Sequence, residues 1–584
     1  MSNDKRRQFE GTTVLNQDLL NACQDNLSNQ LELIVDIEKP GGGFIRASDR
    51  NKYVVAAGGE GTFYEALLTF PIISRTVGDF LNPGLEFSQL ELSLSNVDGR
   101  FNDILPAGDD YAGWVGKAVT VKLGMGEVES TYRTIFQGEI TDQGGFKRGV
   151  SKITFVARDR FNKINVDFPS TVLTTGAFPN LEADKQNVTV PVIYGDWTVN
   201  VEPGMASVPG IVVNGADPTV NGDTSHVTNI QLVISAHALT SFDTTQVYLK
   251  RGEKVWLIPA ADVTSVSIGG PGVSSFALIQ GSGLMTAQTP DTDDITLEYD
   301  SNDEFFVKVK GKDLGTYDDN IIAQAKDLLI TFGGLVSGDF DANWDTLRDK
   351  ASPAVSAIST FKSRVWIQEP ENLLEYVFSL LEQVRVEVFI DKNLKLKLLP
   401  LHFDTFVAAP THTIRNWDVE QGSVALNIDE RTNFNRIKGV YNYLPNRNEN
   451  LQETKIYKNA AAITQAGRAI SKKIVFPNLY EESTVVDQVK ETLRITSAFF
   501  ETVTLNATWR SMLLDIGDFV KLNVQIQSTV FNDVPALIRE IGYDPAGIKI
   551  PLKVWSFQMM PFTGYTPGYP GTVGGSTATI SEET

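Results

Sequence analysis

The chain of 584 residues holds one cysteine, Cys23, so no disulfide, Cys-rich zinc site or iron–sulfur cluster can form within a single copy. That scarcity suits a reducing compartment. Histidine is nearly as rare, with four in all: His226, His237, His402 and His412. None is spaced as a metal-ligand pair, so structural histidines are expected. No apolar run approaches the ~20 residues of a membrane-spanning helix, and the basic start MSNDKRRQFE is not followed by the apolar core of a signal peptide. Positive charge is also short. Against 72 Asp and Glu stand 51 Lys and Arg, a net charge of −21, which argues against a protein that grips phosphate backbones. No Ser stands in G-x-S-x-G, and Gly124-Met125-Gly126 lacks the third glycine of a dinucleotide loop. The acidic clusters Asp98/Asp103/Asp109/Asp110, Asp291/Asp293/Asp294 and Asp339/Asp341 lack the fixed offsets of a calcium loop. No catalytic residue, metal ligand or cofactor is expected.

What remains is globular, at 42% apolar and 21% charged residues, and its length allows roughly four domains. Leu15, Leu19, Cys23 and Leu27 mark a short helix, giving a helical arm over 1–30. From 31 to 165 the chain reads as strands with frequent turn residues, the pattern of a barrel or sandwich. FIRAS and KYVVA are expected to form a hairpin there. Residues 166–200, punctuated by Pro169, Pro179 and Pro191, read as a connector, and 201–315 as a second β-rich domain. In it, VYL and VWLI flank one turn at Lys250–Glu253, and ITLEY and FFVKV flank another at Asp300–Asp303.

At 316 the texture becomes α+β. Thr316-Tyr317-Asp318-Asp319 resembles a capping box, and a second helix is expected from Pro370 with Leu373, Val377, Leu380 and Leu381 inward. A hairpin around Asp391-Lys392-Asn393 closes this unit at 405, with Leu394, Leu396 and Leu398 on one face. Residues 406–560 return to β, with one helix near 483–498 capped by Ser483. The final 561–584 stretch, rich in Gly and Pro, carries no periodicity.

Two segments repeat. Gly116-Lys117-Ala118-Val119, then Glu139-Ile140 and SKITFVA, match Gly517-Asp518-Phe519-Val520, then Glu540-Ile541 and IKIPLKV. The copies start 401 residues apart, and in each the Gly and Glu are 23 apart. The fold class expected is mainly β and multidomain, with two related small barrels near the chain ends and a β domain and an α+β domain between them.

Several segments in order resemble the trimeric hub family of tailed bacteriophages, the tail-tip and baseplate hub proteins. They are Leu94-Ser95-Asn96-Val97-Asp98-Gly99-Arg100-Phe101, Gly116–Val121, Phe136-Gln137-Gly138-Glu139-Ile140, Pro191-Val192-Ile193-Tyr194-Gly195-Asp196-Trp197, Ala466–Ile470 and Leu514–Val520. The resemblance covers about half the chain. It implies a homotrimer in the virion tail tip, assembled in the host cytoplasm, whose paired barrels match a three-fold tip to the six-fold tail tube. Implied partners are the tail tube and distal tail proteins, a tip spike or fibre protein, and passing phage DNA without specific binding. The residues expected to shape the barrels, through turn geometry and inward packing, are Gly116, Val119, Gly138, Ile140, Gly517, Val520, Ile538 and Ile541. Two other readings compete. In one the chain is a host-receptor or glycan-binding tail protein, with Tyr248 and Trp256 stacking on sugars. In the other it is a tail-associated peptidoglycan hydrolase with a carboxylate pair.

Overall fold

The structure, a computed structural model, describes residues 32–556 and 580–583. Excepted are 56–60, 70–72, 86–88, 100–112, 142–145, 177–180, 200–207, 216–227, 267–274, 297–301, 350–361, 402–409, 429–433, 497–500, 545–548 and some shorter gaps. The expected N-terminal helix and most of the Gly/Pro-rich tail lie outside the described residues. The architecture is mainly β and multidomain.

The first unit is built on β1 (Glu32–Glu38), β2 (Ile73–Asp79), β3 (Gln89–Ser95), β4 (Ala118–Gly124), β5 (Tyr132–Ile140) and β6 (Lys152–Asp159). Five of these form the run β1-β4-β5-β6-β3 inside a larger sheet. Their inward faces follow period-2 alternation: Leu33, Val35 and Ile37 on β1 and Val119, Val121 and Leu123 on β4 are all buried. The expected FIRAS–KYVVA hairpin does not form. The strand Gly61–Ala66 lies between them, antiparallel to Lys52–Val55 and parallel to Phe44–Ser48. Tyr53 lies over Gly61, where a side chain would meet the outer end of its ring.

Residues 166–199 bury much of their length, with Val192, Ile193, Tyr194 and Trp197 shut from solvent. Beyond them a nine-stranded sheet fills most of the second β unit. Its VYL and VWLI strands pair as expected, but the described part of ITLEY, Ile295–Thr296, does not pair with FFVKV. Ile295–Thr296 pairs with Leu284–Ala287, while Glu304–Lys310 sits between Val208–Gly215 and Ser241–Arg251. Phe305, Phe306, Val307 and Val309 are all buried, so this strand is apolar on both faces and suits a central position.

The α+β unit contains α1 (Ile321–Thr331), α2 (Leu373–Glu382), β7 (Val386–Ile390) and β8 (Leu396–Pro400). Helix α1 is not capped by the Thr316 box, because residues 315–317 form a 3-10 turn. Instead the Asn320 Oδ1 accepts from the amides of Ile322 and Ala323 at 3.0 Å each. Asn372 caps α2 in the same way.

The rest of the chain supplies β9 (His412–Arg415), β10 (Arg436–Leu444), β11 (Glu449–Asn459), α3 (Glu482–Thr496), β12 (Glu501–Thr508), β13 (Phe519–Ile526), β14 (Thr529–Tyr543), β15 (Lys549–Ser556) and β16 (Ile580–Glu582). Ser483 lies inside the first turn of α3, not at its cap. The 406–560 stretch divides between two cores. β10, β11 and α3 bury Ile437, Tyr441, Tyr457, Val485, Val489 and Leu493 with α1 and α2. β9, β12, β13, β14 and β15 form the second barrel's sheet, in the order β9-β13-β14-β15-β12. The aperiodic tail ends in strand β16, on the edge of β11.

The α+β unit is tied to the second barrel by a buried ion pair. Arg539 on β14 is 2% exposed and forks onto Glu387 of β7, with its Nη2 2.9 Å from Oε1 and its Nη1 on Oε2. Its guanidinium lies 3.8 Å over the Trp555 ring, adding a cation–π contact. Glu387→Ala is expected to lower the unfolding free energy by about 3–5 kcal/mol, since it buries a cation without its carboxylate. The double variant Glu387→Leu, Arg539→Met should recover most of that loss, with urea unfolding followed by tryptophan fluorescence as the measurement.

Candidate functional site: two clasped barrels

Each barrel is entered through the same four-residue turn. The Lys117 amide donates to the Trp114 carbonyl at 3.1 Å, and the Asp518 amide to the Asp515 carbonyl at 3.2 Å. The third residue of each turn is a glycine with positive φ, +76° at Gly116 and +79° at Gly517, which type II geometry requires. Each turn is then stapled to the far strand. The Gly116 amide donates to the Ile140 carbonyl at 2.9 Å and the Ile140 amide to the Lys117 carbonyl at 2.9 Å. The Gly517 amide donates to the Ile538 carbonyl at 2.9 Å and the Ile538 amide to the Asp518 carbonyl at 3.1 Å. Val119 opposes Gly138, and Val520 opposes Ala536. Both valines are fully buried.

The ladders also correct the alignment read from sequence. With Gly116 matched to Gly517, Ile140 corresponds to Ile538, 24 and 21 residues on. Glu139 opposes Ala118 and therefore corresponds to Leu537, which opposes Phe519. Glu540 lies three residues past Leu537, and the second copy reaches its clasp in three fewer residues, so the shared Gly–Glu spacing is a coincidence of those two offsets. Ile541 is buried but lies past the clasp. Gly138 has a reason of its own: a Cβ there would run into the Arg158 backbone carbonyl. The return strands continue the match, Ile140 opposing Ala157 and Ile538 opposing Val554.

The copies differ at their flanks. On the first, β1 runs antiparallel to β4, and Lys117 Nζ sits 3.0 Å from Glu38 Oε1. That hydrogen bond, with one from the Ala118 amide, holds the Glu38 carboxyl below its ordinary range. On the second, β9 runs parallel to β13. There Asp515 accepts the Lys392 amide at 2.6 Å, and Asp518 Oδ2 accepts the Asp515 amide at 2.9 Å. Burial pushes the Asp518 carboxyl up, against the pull of the Asp515 amide and of Lys392, Lys397 and Arg133.

Three features join the barrels, and sequence reading missed them. Strand β2, from the first unit, adds to β14 of the second, with Thr76 opposite Glu540 and Ile73 opposite Tyr543. Arg133 on β5 donates to the Met512 carbonyl at 2.8 Å and the Lys392 carbonyl at 3.2 Å. One apolar core runs through both barrels, from Leu33 and Val121 to Ile538 and Val554.

The residues proposed for other chemistry are used otherwise. Tyr248 and Trp256 are 3% and 4% exposed, so neither offers a face to a sugar. His237 is half-buried and neutral, its Nε2 accepting the Ile193 amide at 3.0 Å; loss of solvent around the ring lowers its pKa to about 4. His226 and His402 lie outside the described residues. Asp339 accepts the Val336 amide at 3.0 Å, Asp341 the Asn343 amide at 2.9 Å and Asp294 the Ala287 amide at 2.8 Å. Asp98, Asp103, Asp109, Asp110 and Asp291 are outside the described residues. Among the described residues no three His, Cys, Asp or Glu side chains gather as a metal site, and no helix is long and apolar enough to cross a membrane.

No family model matches the chain, and no curated protein matches it. Among solved structures it is similar to the tail protein from Neisseria meningitidis MC58, at 8% identity and a TM-score of 0.39 over 90% of this chain and 97% of that one. It is also similar to the 43 kDa tail protein of prophage MuSo2 from Shewanella oneidensis, at 10% identity and a TM-score of 0.36 over 90% and 96%. A third likeness is to the Francisella PdpA–VgrG complex, at 8% identity and a TM-score of 0.33 over 97% of this chain and 62% of that one.

The Asp518 carboxyl yields a pH prediction. A carboxyl whose folded pKa is raised favours the folded state below its unfolded pKa, and that contribution is lost as pH rises through the folded value. Asp518→Asn should therefore match the parent near pH 3 and exceed it in melting temperature at pH 7, as read by differential scanning calorimetry across that range.

Proposed function

We propose that this chain is the structural hub of a phage tail tip or baseplate, a homotrimer that adapts the six-fold tail tube to a three-fold tip and lines part of the DNA channel. The observation that carries the reading is the pair of barrels with one clasp, held on a common core within a single chain. Three copies in a closed ring would present six similar barrels, so each chain supplies two neighbouring positions of a six-fold ring. The tail tube and distal tail proteins would meet the barrel ring, and a tip spike or fibre protein would meet the α+β side. This role is architectural and needs no catalysis. It places the protein in the virion tail tip, assembled in the host cytoplasm. A net charge of −21 per chain would let DNA pass without gaining the counterion release that makes DNA-binding surfaces hold.

Light scattering on the purified chain should give three times its 64.2 kDa mass. A stable monomer, dimer or tetramer would contradict the reading.

A further inference from the structure

The final strand occupies a site whose chemistry is specific. β16 pairs with β11 through Asn459–Ile580, Lys458–Ser581 and Tyr457–Glu582, and the Glu583 amide donates to the Ile456 carbonyl at 2.9 Å. Two successive carboxylates are then read by side chains. Lys455 Nζ donates to Glu582 Oε2 at 2.8 Å, and the Tyr457 hydroxyl to Oε1 at 3.3 Å. Arg436 Nε donates to Glu583 Oε2 at 2.7 Å, and Lys458 Nζ lies 3.6 Å from Oε1. Ile580 packs against the α+β core. Backbone pairing gives the affinity of such an added strand, and side-chain pockets give its selectivity. In an acidic chain this edge is basic, and it selects an extended segment with an apolar residue followed two positions on by two carboxylates.

None of these contacts uses the preceding chain. The 23 residues from 557 to 579 separate β15 from β16, and 23 residues can span up to ~75 Å. β16 is thus a short ligand on a long tether, and every copy offers the same basic edge. A closed ring lets each copy give one strand and receive one, without any new contact chemistry.

We infer that β16 exchanges between copies, its Ile580–Glu583 segment pairing with β11 of a second copy and clasping the ring. This rests on the trimeric reading above.

The test uses two full-length chains of distinguishable mass in a Cys23→Ser background, one carrying Lys458→Cys and the other Ser581→Cys. Directly opposed strand positions are within reach of a disulfide. The chains are mixed in equal amounts unfolded, refolded together, sized by light scattering, oxidised and run on a non-reducing gel. Exchange predicts a trimer in which about half of each chain enters the mixed disulfide, since a neighbour is of the other kind about half the time. Adding Glu582→Lys and Glu583→Lys to the donor should remove most of that band. A trimer with no mixed disulfide, while one chain carrying both cysteines closes on itself, would overturn the exchange and leave the trimer standing. A monomer would overturn both.

Discussion

Strand β2 lies in sequence among the strands of the first barrel but pairs in the sheet of the second, and most of the architecture follows from that crossing. Backbone groups on β14 beyond its bulge have β2 as their partner, and unmet buried groups there would each cost about 1–3 kcal/mol. Satisfying them pins the barrels side by side. Once pinned, their facing apolar residues merge into one core that neither barrel owns. The glycine clasps act inside this frame by fixing where each barrel's entry turn meets its far strand.

The second constraint is the junction of both barrels with the α+β hairpin. Arg133, Lys392, Asp515 and Asp518 meet there, mostly through backbone carbonyls and amides. The Arg539–Glu387 pair also fastens the same hairpin to β14. A buried ion pair adds little net stability over a well-packed apolar pair, because both charges must first be taken out of water. The hairpin is held to the barrels by these polar contacts together with Phe389, Leu399 and Leu401, which share the barrels' apolar core.

Much of this was legible in the sequence, for local reasons. Gly116 and Gly517 announce turns because only glycine is at ease with positive φ, and Val119 and Val520 announce an inward face because strand side chains alternate. Leu396 and Leu398 were read correctly as a buried strand face, whereas Leu394 is buried from the turn before it, with φ +58°. The failures were non-local or competitive. Glu139 and Glu540 were matched because the second copy's shorter path to its clasp left a non-equivalent glutamate at the same spacing. Asn320 displaced the Thr316 box because its carboxamide reaches two amides at once. β2 gave no sign of its partner, since pairing across most of the chain leaves no mark on composition or period. Tyr248 and Trp256 show the commoner fate of hairpin aromatics, which is burial.

The central claim is that one chain carries two equivalent barrels that together make two places of a six-fold ring. It is tested most directly by cryo-electron microscopy of the purified assembly, viewed down its axis. The account predicts a ring of six barrel densities at roughly 60° intervals, alternating in their flanking density with three-fold symmetry. A ring with three barrels inside and three elsewhere, or with any count other than six, would contradict it.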